Sequence, residues 1–258
     1  MTTTTSTSRR SSSNDRAAIT VALAGGSELH VTCSTRLDGD FHRVEVPYPE
    51  LERRRRALVD LPWTQLDEHH GVTVVRVDAP GVADGEPGDV AITDIEGAVL
   101  GCWVGDCAPV VLVGAISEFA VVHAGWRGLA AGVIQTAIRA FHEPVAMALL
   151  GPAIGPCCYE FGASDLGAVA AGVGDRVGQI SGRTRSGQLA LDVQAAVTAA
   201  CRNEGVPVDV IEGCTGCSFP GYSHRVRRDP QRHVVAAWRS SHPAGIRSRA
   251  ARSAEMGS

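Results

Sequence analysis

The sequence contains no lysine, and all 24 of its basic residues are therefore arginines. This absence excludes a Schiff-base lysine, a lysine general base and the lysine of a phosphate-binding P-loop. An anionic ligand would have to be held by arginine guanidinium groups, by backbone N–H groups or by a metal ion.

The chain also lacks any apolar run long enough to span a bilayer, and residues 1–16 lack the apolar centre of a signal peptide. We therefore expect a cytoplasmic protein, in which the eight cysteines serve as thiols or metal ligands rather than as disulfides. A net charge of -4 gives no basic footprint, so we expect neither nucleic acid nor a membrane as a partner. The protein is expected to be a monomer or a homodimer.

A length of 258 residues, with 44% hydrophobic and 20% charged residues, leaves room for one sizeable core. We predict one domain over residues 17–239, between disordered tails at residues 1–16 and 240–258. Strands and helices mix without strict βαβ alternation, which predicts an α+β fold, a single domain of mixed β-sheets flanked by helices in a layered α/β sandwich.

The predicted strands span residues 29–35, 72–77, 99–104, 110–113, 119–123, 145–150, 208–212 and 233–238. The predicted helices span residues 49–59, 128–142, 165–171 and 192–203, the last with Asp192 as its N-cap.

Two short segments, each following an apolar, β-branched run, carry candidate reactive groups. Residues 105–109 read Gly-Asp-Cys-Ala-Pro, and residues 123–128 read His-Ala-Gly-Trp-Arg-Gly. They present a thiol, Cys107, and an imidazole, His123, at strand ends, beside glycines that permit close approach of other groups. This pair suits a soft metal site or a cysteine–histidine nucleophile pair, although each residue alone is more often a buried core thiol or a turn histidine.

Three further segments carry candidate residues. His69 and His70 precede a glycine and a β-rich run, and either histidine is a candidate ligand. Residues 150–160 contain two Gly-Pro turns and form a rigid loop with free backbone N–H groups. Cys214 and Cys217 form a CxxC pair, but the sequence has no second CxxC to complete a zinc ribbon. We therefore expect these two cysteines to be structural, and their joint replacement by serine to leave the metal content nearly intact.

Taken in this order, the segments resemble the laccase-domain family, also called multicopper polyphenol oxidase-like proteins. Members of this family have been reassigned as zinc-dependent purine nucleoside phosphorylases, and some are called peptidoglycan editing factors. The Asp-Cys-Ala-Pro and His-Ala-Gly-Trp-Arg-Gly pieces are the specific part of the match. The resemblance extends from residue 32 to residue 238 and is carried by residues 34–36, 70–71, 88–93, 105–109, 123–128, 151–155 and 222–225.

The resemblance implies that His70, Cys107 and His123 bind one zinc ion and form the catalytic centre. Two imidazoles and one thiolate leave the fourth position of a tetrahedral site open, as a catalytic zinc requires. Copper is less favoured, because a multicopper laccase needs His-X-His pairs and none of the nine histidines forms one. Asp106 is a further catalytic candidate, as a ligand-orienting or acid–base group, and a strand-end cap is the alternative role for it.

The expected substrates are a purine nucleoside and phosphate. With no lysine available, Arg36 and Arg127 are the candidate phosphate contacts, assisted by backbone N–H groups of the loop that contains Gly155. Ser223 and His224 complete the expected substrate-binding set.

The leading function is a zinc-dependent phosphorylase that converts adenosine, inosine or methylthioadenosine, with phosphate, into the free base and ribose-1-phosphate. Adenosine deaminase activity is a second expectation. The alternatives are a metal-free cysteine hydrolase in peptidoglycan-precursor editing, with Cys107 as its nucleophile, a copper polyphenol oxidase, and a non-enzymatic binding module. The metal content of the purified protein distinguishes the phosphorylase from the hydrolase.

Overall fold

Two six-stranded β-sheets pack face to face, and helices cover the outer face of each sheet. The structure is a computed structural model that describes residues 7–11 and 17–241. Its α/β/β/α layers confirm the predicted α+β fold of mixed sheets flanked by helices. A separate two-stranded sheet consists of β11 (Ser181–Arg183) and β12 (Leu189–Leu191).

The first sheet joins the earliest described strands to the last one. Its strands, in spatial order, are β1 (Thr7–Ser11), β2 (Ala17–Ala22), β3 (Ser27–Cys33), β14 (His233–Ser241), β7 (Val99–Val104) and β4 (Trp63–Gln65). β14 pairs antiparallel with both β3 and β7, whereas β4 runs parallel to β7. The last described strand is therefore interior to its sheet.

The two candidate motifs lie together at the ends of two interior strands of the second sheet. Its strands, in spatial order, are β13 (Val208–Val210), β10 (Val145–Leu150), β8 (Ala108–Gly114), β9 (Phe119–Ala124), β6 (Val90–Thr93) and β5 (Val74–Arg76). β8 and β9 are antiparallel, with Pro109 opposite His123. The start of β8 and the end of β9 therefore meet, which brings Cys107 near His123.

β8 is buried on both faces, which explains why its sequence is a continuous apolar run. Val110 and Leu112 pack among the helices, while Val111 and Val113 pack against the first sheet. A strand covered on both sides needs apolar residues at every position rather than at alternate positions.

Helices form the two outer layers. On the first sheet, Leu51 of α1 (Tyr48–Leu58) packs in one cluster with Phe41 and Trp63. Asp192 caps α5 (Val193–Asn203) as predicted, because its carboxylate accepts a hydrogen bond from the Ala195 N–H at 2.9 Å. Within residues 7–11 and 17–241, no helix combines the length and the apolarity that a membrane span needs. The second sheet is covered by α2 (Trp126–Ala130), α3 (Val133–Arg139), α4 (Ala163–Val173) and α5 (Val193–Asn203), and the short α6 (His224–Arg227) precedes β14.

Two expectations differ from the structure. The helix predicted over residues 128–142 is divided into α2 and α3, because Gly132 adopts a left-handed φ of +81° between them. Part of the expected amino-terminal tail forms β1, and β14 continues through Ser241, inside the expected carboxy-terminal tail. The remainder of both predicted tails, residues 1–6, 12–16 and 242–258, lies outside the described residues.

His233, the first residue of β14, is a buried histidine that makes stability depend on pH. Burial, together with the charges of Arg232 and Arg227, lowers the pKa of His233 to about 3. The unfolded chain binds a proton on this side chain below its ordinary pKa of about 6.5, whereas the folded chain does not, so stability is lost as the pH falls. From pH 7 to pH 5, we expect His233 to lower the free energy of unfolding by about 2 kcal/mol.

Denaturant unfolding of His233→Gln and of the parent chain at the two pH values measures this contribution. The variant should lose less stability on acidification than the parent chain does. Equal pH dependence in His233→Gln and the parent would show that His233 is not the titrating group.

Candidate metal centre and active site

Three side chains from separate parts of the chain converge where β8 begins and β9 ends, in the second sheet. Cys107 lies immediately before β8, His123 is in β9, and His70 is in the loop before β5. Their ligand atoms all lie within 4.8 Å of one another, and Cys107 Sγ is 3.7 Å from His70 Nε2. The structure therefore brings together the three residues that the sequence nominates as metal ligands.

The close packing around His70 requires unusual backbone geometry. His70 has a left-handed φ of +60°, a conformation that costs energy in a residue other than glycine. A Cβ atom on Gly125 would lie 2.5 Å from His70 Cδ2 and 3.3 Å from Cys107 Sγ. Only glycine at position 125 leaves room for the imidazole and the thiol to meet.

The carboxylate of Asp89, just before β6, holds two of the three ligands. Its Oδ1 accepts a hydrogen bond from the His70 backbone N–H at 2.8 Å and lies 2.9 Å from His123 Nδ1. Its Oδ2 accepts from the Gly71 N–H at 2.7 Å. Donation from Nδ1–H to Asp89 leaves His123 Nε2 free as a ligand atom, which is the usual arrangement of metal-binding histidines.

Electrostatics at the site favour the thiolate of Cys107. Burial raises the pKa of this thiol, but the charges and hydrogen bonds of His123 and His70 outweigh burial and lower the pKa to about 6. The metal-binding, nucleophilic form is therefore populated at neutral pH. Burial raises the pKa of Glu68 to about 8 against the opposing charge of His123, and Glu68 Oε2 lies 3.6 Å from His123 Nδ1. Glu68 therefore carries a proton near neutral pH.

This donor set fits a single metal ion. Two imidazole nitrogens and one thiolate are sufficient for a tetrahedral ion that keeps one position for water or substrate. The hydrogen bond from His123 to Asp89 supplies the outer contact that such sites need. The described residues therefore contain a His₂Cys cluster compatible with a metal ion, and its ligand types suit zinc or copper.

A cavity of about 380 Å³ opens over the three ligands. Three aromatic side chains form much of its wall: Trp103, Trp126 and Tyr159. Its volume lies within the range of about 300–1,000 Å³ that small-molecule sites occupy. The site can therefore accommodate a flat, aromatic ligand beside the metal.

Three arginines line the same cavity: Arg127, Arg225 and Arg232. Arg232 Nη1 donates to backbone carbonyls of residues 229–231, which leaves Arg127 and Arg225 as the candidates for a ligand. The guanidinium carbon of Arg127 lies 4.5 Å from the Trp126 ring centroid, and that of Arg225 lies 4.8 Å from the Tyr159 ring centroid. In the part of the chain that the structure describes, neither guanidinium pairs with a carboxylate. Their N–H groups are therefore available to an anionic ligand.

Asp106 also lines the cavity, and its carboxylate is engaged on both oxygens. Oδ1 accepts from the Thr215 hydroxyl at 2.7 Å, and Oδ2 accepts from the Arg225 backbone N–H at 2.6 Å. Asp106 has a φ of +133°, and its carbonyl oxygen accepts from the Ile154 N–H at 2.9 Å. These contacts favour the alternative role of Asp106 as a strand-end cap, and a direct catalytic role for Asp106 stays a prediction.

The structure divides the predicted substrate residues into two groups. Arg127 and His224 line the cavity. Arg36 is not among the lining residues, because its guanidinium pairs with Asp229 and lies over the Tyr222 ring. The structure therefore brings Arg127, but not Arg36, to the candidate metal centre.

Gly155 and Ser223 lie next to the cavity wall rather than in its lining. The Gly155 N–H donates to Cys214 Sγ at 3.1 Å. The Ser223 hydroxyl caps α6 by accepting from the Val226 N–H at 3.2 Å. Their assignment to the substrate remains a prediction.

The ambiguity between the two adjacent histidines is resolved in favour of His70. The imidazole of His70 belongs to the ligand cluster. The side chain of His69 is 57% exposed, and its Nε2 lies 3.6 Å from Asp67 Oδ2.

Cys214 and Cys217 do have further thiol neighbours, which corrects one sequence-based expectation. The sulfur atoms of Cys157, Cys158, Cys214 and Cys217 all lie within 4.8 Å of one another. The reasoning that this CxxC pair lacks two further ligands was wrong, because it required a second CxxC. An adjacent pair of cysteines on another loop supplies the remaining thiols.

Sequence reasoning also missed three residues at the site: Glu68, Asp89 and Arg225. Glu68 and Asp89 lie in recognised segments, and a carboxyl group directly before a buried strand was the available signal for Asp89. Arg225 is distant in sequence from the other two. Two hydrogen bonds place α6 over the cavity: the His224 N–H donates to the Gly105 carbonyl at 3.0 Å, and the Arg225 N–H donates to Asp106 Oδ2 at 2.6 Å.

Comparison with known proteins gives one family over most of the chain. Residues 33–239 match the family described as multi-copper polyphenol oxidoreductase laccase. A Xylella fastidiosa (strain 9a5c) protein called purine nucleoside phosphorylase is 35% identical over 240 residues, which is 84% of this chain and 90% of that protein. The Escherichia coli (strain K12) protein called purine nucleoside phosphorylase YfiH is 36% identical over 120 residues, 43% of this chain and 48% of that protein.

Solved structures share the fold. A Neisseria meningitidis protein superposes with a TM-score of 0.70 at 25% identity, covering 86% of this chain and 98% of that one. YlmD from Geobacillus stearothermophilus superposes with a TM-score of 0.71 at 24% identity, covering 86% and 96%.

Asp89→Asn tests whether the carboxylate supports the ligands. Loss of its charge and of one acceptor should weaken metal binding at this site by about 10–100-fold. Competition between the protein and a chelator for Zn²⁺, used as the probe ion, measures the affinity. The Zn²⁺ binding that is absent in Cys107→Ala is the binding at this site. Asp94→Asn, an exposed aspartate beyond β6, is the matched control and should bind as the parent does. Equal affinity in Asp89→Asn and Asp94→Asn would rule out this role for Asp89.

Proposed function

Because this chain belongs to the multi-copper polyphenol oxidoreductase laccase family, whose relatives include proteins called purine nucleoside phosphorylases, we propose that it is a zinc-dependent purine nucleoside phosphorylase. Adenosine, inosine or methylthioadenosine reacts with phosphate to give the free base and ribose-1-phosphate. One observation carries the proposal: two imidazoles and a thiolate converge in a cavity lined by aromatic rings and unpaired arginines.

In this proposal the three clustered side chains bind the ion, and a neighbouring carboxylate orients one of them. His70, Cys107 and His123 hold the ion, and Asp89 fixes the ring of His123 through Nδ1. Bound zinc supplies a Lewis acid that polarises substrate atoms and activates water. The lowered pKa of Cys107 keeps the thiolate available to bind the ion at neutral pH.

The aromatic wall suits a purine base. Trp126 is held edge-on to Phe161, with ring centroids 5.5 Å apart, and the Trp103 indole N–H donates to the Leu66 carbonyl at 2.8 Å. Rings fixed in this way offer rigid surfaces for stacking, and stacking is favourable for any flat heteroaromatic ring. Trp103, Trp126 and Tyr159 thus select for a nucleobase over an aliphatic substrate.

The phosphate is held by Arg127 and Arg225. Both line the cavity, and each guanidinium rests on an aromatic face instead of a carboxylate. Stacking orients the planar fork while its N–H groups remain free for oxygen atoms. The side chain of His224 is an additional polar group in the same wall.

Adenosine deamination is a second candidate activity, favoured by Glu68. This carboxyl group lines the cavity next to His123 and keeps its proton near neutral pH, because burial raises its pKa to about 8. Zinc deaminases use a glutamate that is not a ligand as their general acid and base. Glu68 would supply that proton to the departing amine.

Two other readings of the site remain as test outcomes. A metal-free hydrolase would use Cys107 as nucleophile and His123 or His70 as its base. A copper oxidase would require copper at the cluster, and the nine histidines contain no His-X-His pair for a trinuclear centre. We place the reaction in the cytoplasm, since all eight cysteines are unpaired.

The reaction is tested with adenosine or inosine and phosphate, by chromatography of the free base and ribose-1-phosphate. Release of ammonia from adenosine without phosphate reports deamination in the same preparation. Zinc removal by a chelator, or Cys107→Ala, should lower turnover at least about 100-fold, because the electrostatic contribution of the ion is lost.

Cys201→Ala is the matched control for Cys107→Ala, since Cys201 is a buried thiol of α5 outside both thiol-containing clusters, and it should retain turnover. Full turnover by the metal-depleted protein would reject the zinc mechanism and favour the cysteine hydrolase. Copper rather than zinc in the purified protein would favour the oxidase.

Arg127→Ala and Arg225→Ala test the phosphate site. Each should raise the KM for phosphate by about 10-fold or more, because a charge-assisted hydrogen bond contributes about 1.5–3 kcal/mol. Steady-state kinetics at varied phosphate measures this, while the metal content should stay unchanged. Arg139→Ala removes an arginine whose side chain is 69% exposed on α3 and should leave the KM unchanged. An unchanged KM in both cavity variants would remove these arginines from the role.

A further inference from the structure

A second cluster of metal-ligating side chains lies outside the cavity lining. Cys157 and Cys158 belong to one 3-10 turn, Pro156–Cys158, which follows β10. Cys214 and Cys217 belong to the turn that follows β13. The four sulfur atoms all lie within 4.8 Å of one another. No residue of this cluster lines the cavity over His70, Cys107 and His123.

Two of the sulfur–sulfur separations match the edge length of a tetrahedron around one ion, and all of them lie within 4.8 Å. Four thiolates at a Zn–S distance of about 2.3 Å are separated by about 3.8 Å from one another. Cys157 Sγ is 3.7 Å from Cys158 Sγ and 3.7 Å from Cys217 Sγ. These separations exceed the disulfide bond length of about 2.05 Å, and the four thiols are unpaired.

The backbone of both loops is built for this approach. A Cβ on Gly216, inside the Cys-Thr-Gly-Cys turn, would lie 2.8 Å from Cys158 Cβ, so glycine permits the two loops to touch. The Gly155 N–H donates to Cys214 Sγ at 3.1 Å, a contact that stabilises a thiolate. The Cys217 N–H donates to the Cys214 carbonyl at 3.1 Å and closes the turn.

We propose that Cys157, Cys158, Cys214 and Cys217 bind one Zn²⁺ ion in a closed structural site. Four thiolates in a tetrahedron select zinc or iron, and a closed site with no position for water is the mark of a structural ion. A multi-iron cluster has several metal atoms between its cysteines and needs wider sulfur separations than these. This proposal reverses the expectation that the CxxC pair leaves the metal content untouched.

The ion fastens two loops that reach the cavity. Tyr159 directly follows Cys158 and forms part of the cavity wall. Thr215, between the other two cysteines, donates its hydroxyl to Asp106, and its N–H donates to the Ala153 carbonyl at 3.1 Å. Zinc at the four thiolates therefore fixes the wall of the active site without touching the substrate.

Elemental analysis of the purified full chain tests the proposal independently of activity. We expect two zinc ions per chain in the parent and in the control Cys201→Ala. One ion should remain in Cys107→Ala, and one should remain in Cys217→Ser, which alters the exposed member of the cluster. A single zinc in the parent that disappears in Cys107→Ala would overturn the second site and leave the phosphorylase proposal standing.

X-ray absorption of zinc in Cys107→Ala identifies the ligands without altering the four cysteines, so a folding defect in Cys217→Ser does not affect the result. We expect four sulfur neighbours at about 2.3 Å and no nitrogen neighbours. Nitrogen in the coordination shell, or iron in place of zinc, would overturn the assignment.

The intact mass of the unreduced, denatured protein is the last check. A loss of about two mass units for each disulfide would show that the thiols are oxidised, which would overturn the zinc site.

Discussion

The candidate metal centre depends on one buried carboxylate. Asp89 accepts hydrogen bonds from the backbone of His70 and Gly71 and holds the ring of His123, so three chain segments are joined at one group. The His123 N–H also donates to the Asp89 carbonyl at 2.8 Å, which continues the pairing of β6 with β9. Strand register therefore sets the position of the carboxylate, and the carboxylate sets the positions of two ligands.

Bracing by carboxylates is repeated on the other side of the cavity. Asp106 links Thr215 and Arg225 to the turn that precedes β8, and that turn ends at Cys107. Both aspartates spend their oxygens on backbone or side-chain donors, and both adjoin a ligand. The candidate ligands are thus held in place by carboxylates that are not themselves candidate ligands.

The sequence predicts most strongly where local pattern and tertiary position agree. β7 and β10 match their predicted bounds, because a continuous run of six residues without a charged or polar side chain carries a clear signal. β4, β11 and β12 have three residues each, too few for periodicity to be read. The sequence did not predict the break between α2 and α3, because Gly132 lies inside a helical pattern but takes a left-handed conformation. The resemblance of their two segments to one family paired Cys107 with His123 in advance, and the β8–β9 pairing brings the two residues together. The meeting of Cys157 with Cys217 depends on loops that only the fold brings together.

The position of β14 determines the order in which the layers can be completed during synthesis. The six strands of the second sheet are all present once residue 210 has been made, so the layer that carries Cys107 and His123 can assemble early. β3 and β7 have no shared neighbour until β14 emerges, and a nascent chain that ends before residue 233 exposes both as unpaired strand edges. During translation from the amino terminus, the second sheet can therefore be complete before β14 completes the first sheet that packs against it. Between these two points the unpaired edges of β3 and β7 expose the chain to aggregation.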